Sequence, residues 1–209
     1  MCFSFSLPSL LEEILEVVGV DTSVRESELA RVYSFDLQFE GSRRTQFYRE
    51  LFGYRSKTTR TDGEGREKVY ENFYPGILTS LPHLRLGKSV IVVPKTARGE
   101  VDNFFEDSRW KPMELYSFDG ILPPDDRMEA MENALSRIMI GEDRTLESEI
   151  ESLISLESQG SLDPEDKHRV RRVLERVEKL MEHDWTDGSE FSERLRERLD
   201  PLRDSTDRS

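Results

Sequence analysis

The sequence predicts an α+β fold, with a small mixed sheet and flanking helices over residues 1–124 and an α-helical C-terminal region after them. Three observations predict it. Apolar residues alternate imperfectly along residues 31–40, and the β-branched run SVIVV at 89–93 is typical of a buried strand. After Pro123 and Pro124, apolar residues recur at the 3–4 spacing of amphipathic helices.

The first elements are justified by their ends as well as by their apolar pattern. Residues 8–18, PSLLEEILEVV, predict a short helix that ends at Gly19. The strand at 31–40 follows it. Residues 43–52 then favour a helix, because Gly53 is a typical C-terminal stop and the apolar residues fall on one side.

A hairpin, a helix and two strands complete the front half. Asp62-Gly63 lies in a polar loop between two arms that carry Thr, Tyr and Val, a pattern typical of a β-hairpin. The strand at 89–93 leads into a predicted helix at 97–107. Residues 113–122 resemble a further strand that ends before the two prolines.

The back half is predicted to be helical throughout. Its strongest helix begins at Pro164, with Asp163 as the N-cap. We therefore divide the chain into an α+β domain, an acidic helical region of about four helices and a tail, at 1–124, 125–204 and 205–209. Packing of the helices within the chain is favoured over a separate coiled coil, since the apolar seam of the strongest helix covers under three heptads.

Composition limits the class of protein. The chain has 209 residues, and its hydrophobic and charged fractions are both 35%. Its one cysteine, Cys2, excludes an intramolecular disulfide and suits a reducing compartment. The first residues lack the basic segment of a secretory signal, and no apolar run approaches the ~20 residues that span a bilayer. The sequence therefore predicts a cytoplasmic protein that does not contact a membrane.

Charge is distributed unevenly along the chain. The formal net charge is −13, yet residues 43–98 carry twelve cations and five acids. Residues 1–42 have a net charge of −6 and residues 99–209 a net charge of −14. The α+β half thus contains a basic island, residues 43–98, between acidic flanks.

The densest part of the basic island is RRTQFYRELFGYRSKTTR, residues 43–60, which holds six cations and one acid. Arginine suits bidentate contact with phosphate, and the interleaved tyrosines suit stacking on bases. We expect the helix and hairpin at 43–68 to bind nucleic acid without catalysis, as an accessory or regulatory protein. The candidate binding residues are Arg43, Arg44, Tyr48, Arg49, Tyr54, Arg55, Lys57, Arg60, Arg66 and Lys68.

An interaction or assembly factor is the alternative. In that interpretation the basic island pairs with an acidic protein partner, or with the acidic helical region of its own chain. DNA and RNA both fit the pattern of cations and tyrosines, which carries no information on the oligomeric state.

Catalytic and cofactor motifs do not emerge from the sequence. Gly87-Lys88-Ser89 resembles the end of a phosphate loop, but Pro82 replaces the required glycine and a strand follows instead of a helix. His83 is expected to be a packed or capping residue, and the acids around residues 100–107 are expected to form a solvated face. The sequence favours a protein that is not an enzyme and has no metal or cofactor.

Overall fold

The computed structural model describes residues 25–61, 63, 65, 67–141 and 143–207. The helix predicted at 8–18 lies outside these residues. The α+β class and the helical C-terminal region are confirmed. In chain order the elements are β1 (Ala30–Leu37), α1 (Gly41–Phe52), β2 (Tyr54–Thr61), β3 (Glu67–Tyr74), β4 (Leu84–Arg85), β5 (Val90–Pro94), α2 (Arg98–Glu106), β6 (Met113–Gly120), α3 (Pro124–Arg137), β7 (Met139–Ile140), β8 (Arg144–Thr145), α4 (Leu146–Ser158), α5 (Pro164–Met181) and α6 (Glu190–Asp207).

The main sheet has four strands in the order β4–β5–β1–β6, and each neighbouring pair is antiparallel. The predicted hairpin is confirmed as a separate two-stranded ribbon in which β2 pairs with β3. α6 runs to Asp207, within the segment that the sequence predicts as a tail. None of the helices described is both long and apolar enough to cross a bilayer.

Strand β1 contributes to two cores because its side chains alternate between the faces of the sheet. Ala30 and Val32 pack with the helices that follow residue 124, in one buried cluster with Val92 of β5. Tyr33 and Phe35 point to the opposite face, where α1 and α2 cover the sheet with aromatic rings. Phe47 of α1 lies at the centre of this second cluster and is fully buried.

The base of the ribbon is fixed by two glycines. Gly53 ends α1 at a φ of 78°, and its N–H donates to the Arg49 carbonyl at 2.8 Å. A Cβ at Gly53 would lie 2.8 Å from the Tyr74 carbonyl oxygen, and one at Gly76 would lie 2.2 Å from the Gly53 nitrogen. Only glycine allows so close an approach, which holds both ends of the ribbon against the end of α1.

The helical region is tied together by buried polar contacts. The indole Nε1–H of Trp185 donates to the Arg127 carbonyl at 3.1 Å, and Arg127 Nη1 donates back to the Trp185 carbonyl at 2.6 Å. Glu149, only 3% exposed, accepts from Arg144 and Arg169. These contacts join the first turn of α3 to the segment before α6, and α4 to α5.

The predicted boundary at residue 124 can be tested by truncation. A fragment of residues 1–124 would expose Ala30, Val32 and Val92, which are buried with the helices in the full chain. Since loss of such burial costs roughly 25 cal/mol per Å² of apolar surface, we expect the fragment to lose its cooperative urea transition. Circular dichroism along a urea titration would check this. A cooperative transition in the fragment would instead show an independent domain.

Candidate functional site

The arginines of α1 divide into internal and exposed groups. Arg43 is half-buried, donates Nε to the Arg109 carbonyl at 2.7 Å and lies 4.5 Å from the Phe39 ring centroid. Arg44 is also half-buried and reaches the Leu37 carbonyl at 3.5 Å. Arg49 is exposed. Of these three predicted phosphate ligands, Arg43 therefore serves the fold, because its donors are used by carbonyl groups.

The predicted tyrosines also differ in their surroundings. The ring of Tyr48 stacks on Phe52 at 6.2 Å and meets Phe47 edge-on at 5.5 Å, so that much of it belongs to the aromatic core. The ring of Tyr54 instead stacks on Tyr74 at 4.7 Å with an interplanar angle of 9°. Arg49 lies over Tyr54, 4.5 Å from its centroid. Both faces of the Tyr54 ring are thus occupied, whereas Tyr74, the outer ring of the stack, is 46% exposed and suits contact with a further flat ring.

The register of the ribbon assigns the remaining residues to two faces. Tyr54 and Tyr74 oppose each other on one face, which also carries Tyr70, 48% exposed. Arg55 and Lys57 lie on the other face, since side chains alternate along a strand. Lys68 is exposed in β3 and has a contact of its own. Arg66 and the side chain of Arg60 lie outside the part of the chain that is described.

One acid on β3 lies close to the cations of β2. Glu71 is 3.8 Å from both Arg55 Nη1 and Lys57 Nζ, and all three side chains are more than 40% exposed. Exposed pairs at this distance contribute little and are screened by salt. Glu71 of β3 therefore offsets part of the positive charge of β2, while the cations of β2 stay exposed.

The described contacts of the island's arginines lie near the ribbon and the aromatic core. These contacts all fall within residues 37–111 for the four arginines of α1 and β2 whose side chains are described, and the same holds for Lys57. The acidic helices have arginines of their own: Arg144 and Arg169 pair with Glu149, and Arg198 pairs with Glu151. Glu149 and Glu151 of the helical region thus have partners within that region.

A small cavity of about 320 Å³ lies where the base of the ribbon meets the end of α3. Three arginines line it: Arg55 from β2, Arg85 from β4 and Arg137 from α3. Arg85 lies over the Phe52 ring at 4.1 Å, and Arg55 lies over Phe73 at 5.6 Å. The remaining lining residues described are Phe52, Phe73, Thr79, His83, Ser136 and Met139, with no carboxylate among them.

His83 and Arg137 share a hydrogen bond in the wall of this cavity. His83 Nδ1 lies 3.0 Å from the Leu81 carbonyl, to which it donates, and Nε2 lies 3.2 Å from Arg137 Nη1, from which it accepts. Burial and the neighbouring Arg137 charge lower the pKa of His83 to about 4. The expectation that His83 is packed is confirmed, since it is 6% exposed. His83 is therefore neutral at pH 7, so that it accepts from Arg137 and adds no second positive charge beside it.

Arg137 is a half-buried cation, and no carboxylate pairs with it among the described residues. Its Nε and Nη2 atoms are inaccessible to water and have no hydrogen-bond partner among the described residues. Burial lowers the pKa of Arg137. A partly buried charge without a counter-ion costs free energy, so an anion in the adjoining cavity would be attracted more strongly than at a fully exposed arginine.

A larger groove of about 1300 Å³ runs along β3 and has the opposite character. Its lining includes Arg109 and Arg176 but five carboxylates, namely Glu50, Glu71, Glu100, Asp107 and Asp143. Size alone would select this groove as a ligand site, but its charge disfavours a polyanion. The small arginine-lined cavity is the better candidate for an anion.

Asp102 of α2 and Asp119 of β6 both have cationic partners. Asp102 accepts from the Tyr33 hydroxyl at 2.7 Å and from Arg98 at 2.8 Å, and these donors hold the pKa of Asp102 below its usual range against the opposing effect of burial. Asp119 pairs with Arg31 at 3.0 Å and Lys95 at 3.2 Å. Among the described residues, no group of three or more His, Cys, Asp or Glu side chains is placed to hold a metal ion.

Sequence reasoning missed the arginine-lined cavity. Arg85 and Arg137 were not candidates, because each stands alone among apolar residues, far in sequence from residues 43–60. The one available indication was that Arg137 follows the apolar stripe of α3 at the end of the helix, where a cation is favourable. Arg137 is hydrogen-bonded to His83, which lies 54 residues away in the sequence, and no local pattern reveals this contact.

Comparison with known proteins yields no matching family model, no matching curated protein and no matching solved structure.

The depressed pKa of His83 makes stability depend on pH. As the pH falls from about 6.5 towards 4, the unfolded chain binds a proton that folded His83 does not, so stability is lost across this window. At pH 5 this loss is about 2 kcal/mol relative to pH 7. Urea unfolding at both pH values should show it in the wild-type protein.

The matched variant is His83→Asn, which cannot titrate in this range. We expect its stability to fall by about 2 kcal/mol less than that of the wild-type protein between pH 7 and pH 5. Burial also lowers the pKa of His183, whose contribution has the same sign and is present in both proteins. Equal losses in the two proteins would contradict the assigned pKa of His83.

Proposed function

We propose that this protein binds nucleic acid without catalysis, through the exposed cations and tyrosines of α1 and the β2–β3 ribbon. The observation that carries the proposal is the stack of Arg49, Tyr54 and Tyr74 at the base of the ribbon, with Arg55 and Lys57 exposed on the opposite face. A two-stranded β-ribbon fits into the major groove of B-form DNA, where side chains on both of its faces can contact the DNA.

Charge supports a polyanion as the partner. Glu71 is only loosely paired with two cations, and the described contacts of the α1 and β2 arginines do not involve the acidic helices. A phosphate backbone can therefore compete for these cations with little loss of internal contacts. The cytoplasmic location and the accessory or regulatory role form part of the same proposal.

Salt dependence tests the electrostatic part of this proposal. Four to six phosphate contacts would give a slope of log affinity against log salt of roughly −3 to −5. Replacing Arg49 and Lys57 together with Ala should make this slope shallower by about 1.5, because two neutralised phosphates are lost. Fluorescence anisotropy with duplex DNA, duplex RNA and single strands would measure it and identify the preferred form.

The matched control replaces Arg171 and Arg172, two exposed arginines of α5, with Ala and removes the same charge. This control should retain the wild-type slope. Affinity that changes equally in both double variants would indicate a general charge effect and contradict an interface on the ribbon. Tight binding of polyglutamate, without binding of nucleic acid, would instead favour an acidic protein partner.

Stacking is tested separately by Tyr74→Ala, since Tyr74 is the exposed outer ring of the stack. A base stacked on an aromatic ring contributes roughly 1–3 kcal/mol, so we expect about 5- to 150-fold weaker binding of single strands. The salt slope should hardly change, because no charge is removed. Tyr116→Ala is the control, since Tyr116 is 67% exposed on the edge strand β6, outside the ribbon. Equal affinity for wild type and Tyr74→Ala would exclude stacking at this ring.

A further inference from the structure

We propose that the arginine-lined cavity at the base of the ribbon is a binding site for a phosphate monoester. It goes beyond the proposed function, because a discrete phosphate site requires no extended nucleic-acid interface. Its walls come from α1, the ribbon, β4 and α3, so that separate parts of the chain bring three guanidinium groups to one place.

Positive charge predominates in the lining of the cavity. Arg55, Arg85 and Arg137 line it together, whereas the described lining contains no carboxylate. Glu71 lies 3.8 Å from Arg55 but does not line the cavity, and Glu147 accepts from Ser136 at 2.5 Å without lining it. His83 is held neutral by burial and by Arg137. Clustered arginines without acids suit a doubly charged anion, because guanidinium groups bind phosphate oxygens in pairs.

Arg137 lacks hydrogen-bond partners for part of its guanidinium group. Two of its three nitrogens, Nε and Nη2, are buried without a hydrogen-bond partner in the described structure, while Nη1 is held by His83. Such a cation costs free energy in the folded protein unless an anion compensates it. An anion in the cavity beside Arg137 would offset this cost through its charge, and the bond that Nη1 donates to His83 keeps the guanidinium in place.

The size and the aromatic lining of the cavity indicate what the phosphate is attached to. The volume of about 320 Å³ is at the lower end of the range for small-molecule sites. Phe52 and Phe73 line the cavity beside the cations, and Thr79 adds a hydroxyl. Aromatic walls next to guanidinium groups fit a phosphate that carries a sugar or a ring. A free nucleoside monophosphate and the terminal phosphate of a strand share this chemistry.

Isothermal titration calorimetry on the full chain tests the site. The probes are inorganic phosphate, adenosine 5′-monophosphate, adenosine, and a short oligonucleotide with either a 5′-phosphate or a 5′-hydroxyl. We expect binding that requires the phosphate group. Preference for the monophosphate over the phosphorylated oligonucleotide would identify a free nucleotide, and the reverse would identify a strand end.

Two variants locate the binding. Arg85→Gln removes an exposed charge with little expected effect on folding, and Arg137→Met replaces the half-buried guanidinium with an apolar chain. Each should weaken binding of the phosphate probe at least tenfold, as expected for loss of a charge-assisted hydrogen bond. Arg171→Met on α5 is the matched control and should bind as wild type.

Two outcomes would overturn the proposal: no phosphate-dependent heat with any probe at millimolar concentration, or equal affinity in wild type, Arg85→Gln and Arg137→Met. If Arg137→Met does not fold, Arg85→Gln decides alone, since its side chain lies on the surface. The proposed nucleic-acid interface is tested with Arg49, Lys57 and Tyr74, which do not line this cavity, so either proposal can fail without the other.

Discussion

The alternation of β1 between two cores is the constraint on which the rest of the structure depends. One face of this central strand is completed by aromatic residues of α1 and α2, and the other by helices that follow residue 124. A shift of one residue in β1 would send Tyr33 and Phe35 into the helical core and Val32 into the aromatic core. Both cores therefore specify the same register, which in turn fixes α1 on one side of the sheet and α3 on the other.

This arrangement explains why the arginine-lined cavity forms at a junction. The glycine contact between residues 53 and 76 holds the ribbon against the end of α1. The helical core places the end of α3 beside β4, where Arg137 meets His83. The ribbon and the end of α3 are each positioned by a different core. The packing of these two cores brings the arginines together, and the arginines themselves contribute little to it. Such preorganisation is the condition for strong binding, because the cost of assembling like charges is met during folding.

Local elements could be predicted from the sequence because their determinants are local. Gly53, the run 89–93 and Asp163 each specify a boundary or a strand within a few residues, and the structure agrees at β5, α1 and α5. The site could be predicted only in part. Nothing near Arg43 shows that its donors are used by carbonyl groups more than 60 residues away. Partial burial of Arg137 is likewise a tertiary effect, invisible to charge counts and periodicity.

The two electropositive features differ in how water and salt act on them. The cations of the ribbon are exposed, so their field decays within the Debye length of about 8 Å at physiological ionic strength. Arg137 is partly walled by protein, where screening is weaker and each contact with an anion is stronger. A chain with a net charge of −13 repels polyanions at long range, while these local features attract them at short range. Raising salt therefore weakens the long-range repulsion and the ribbon contacts together, and leaves the half-buried arginine as the more salt-resistant source of attraction.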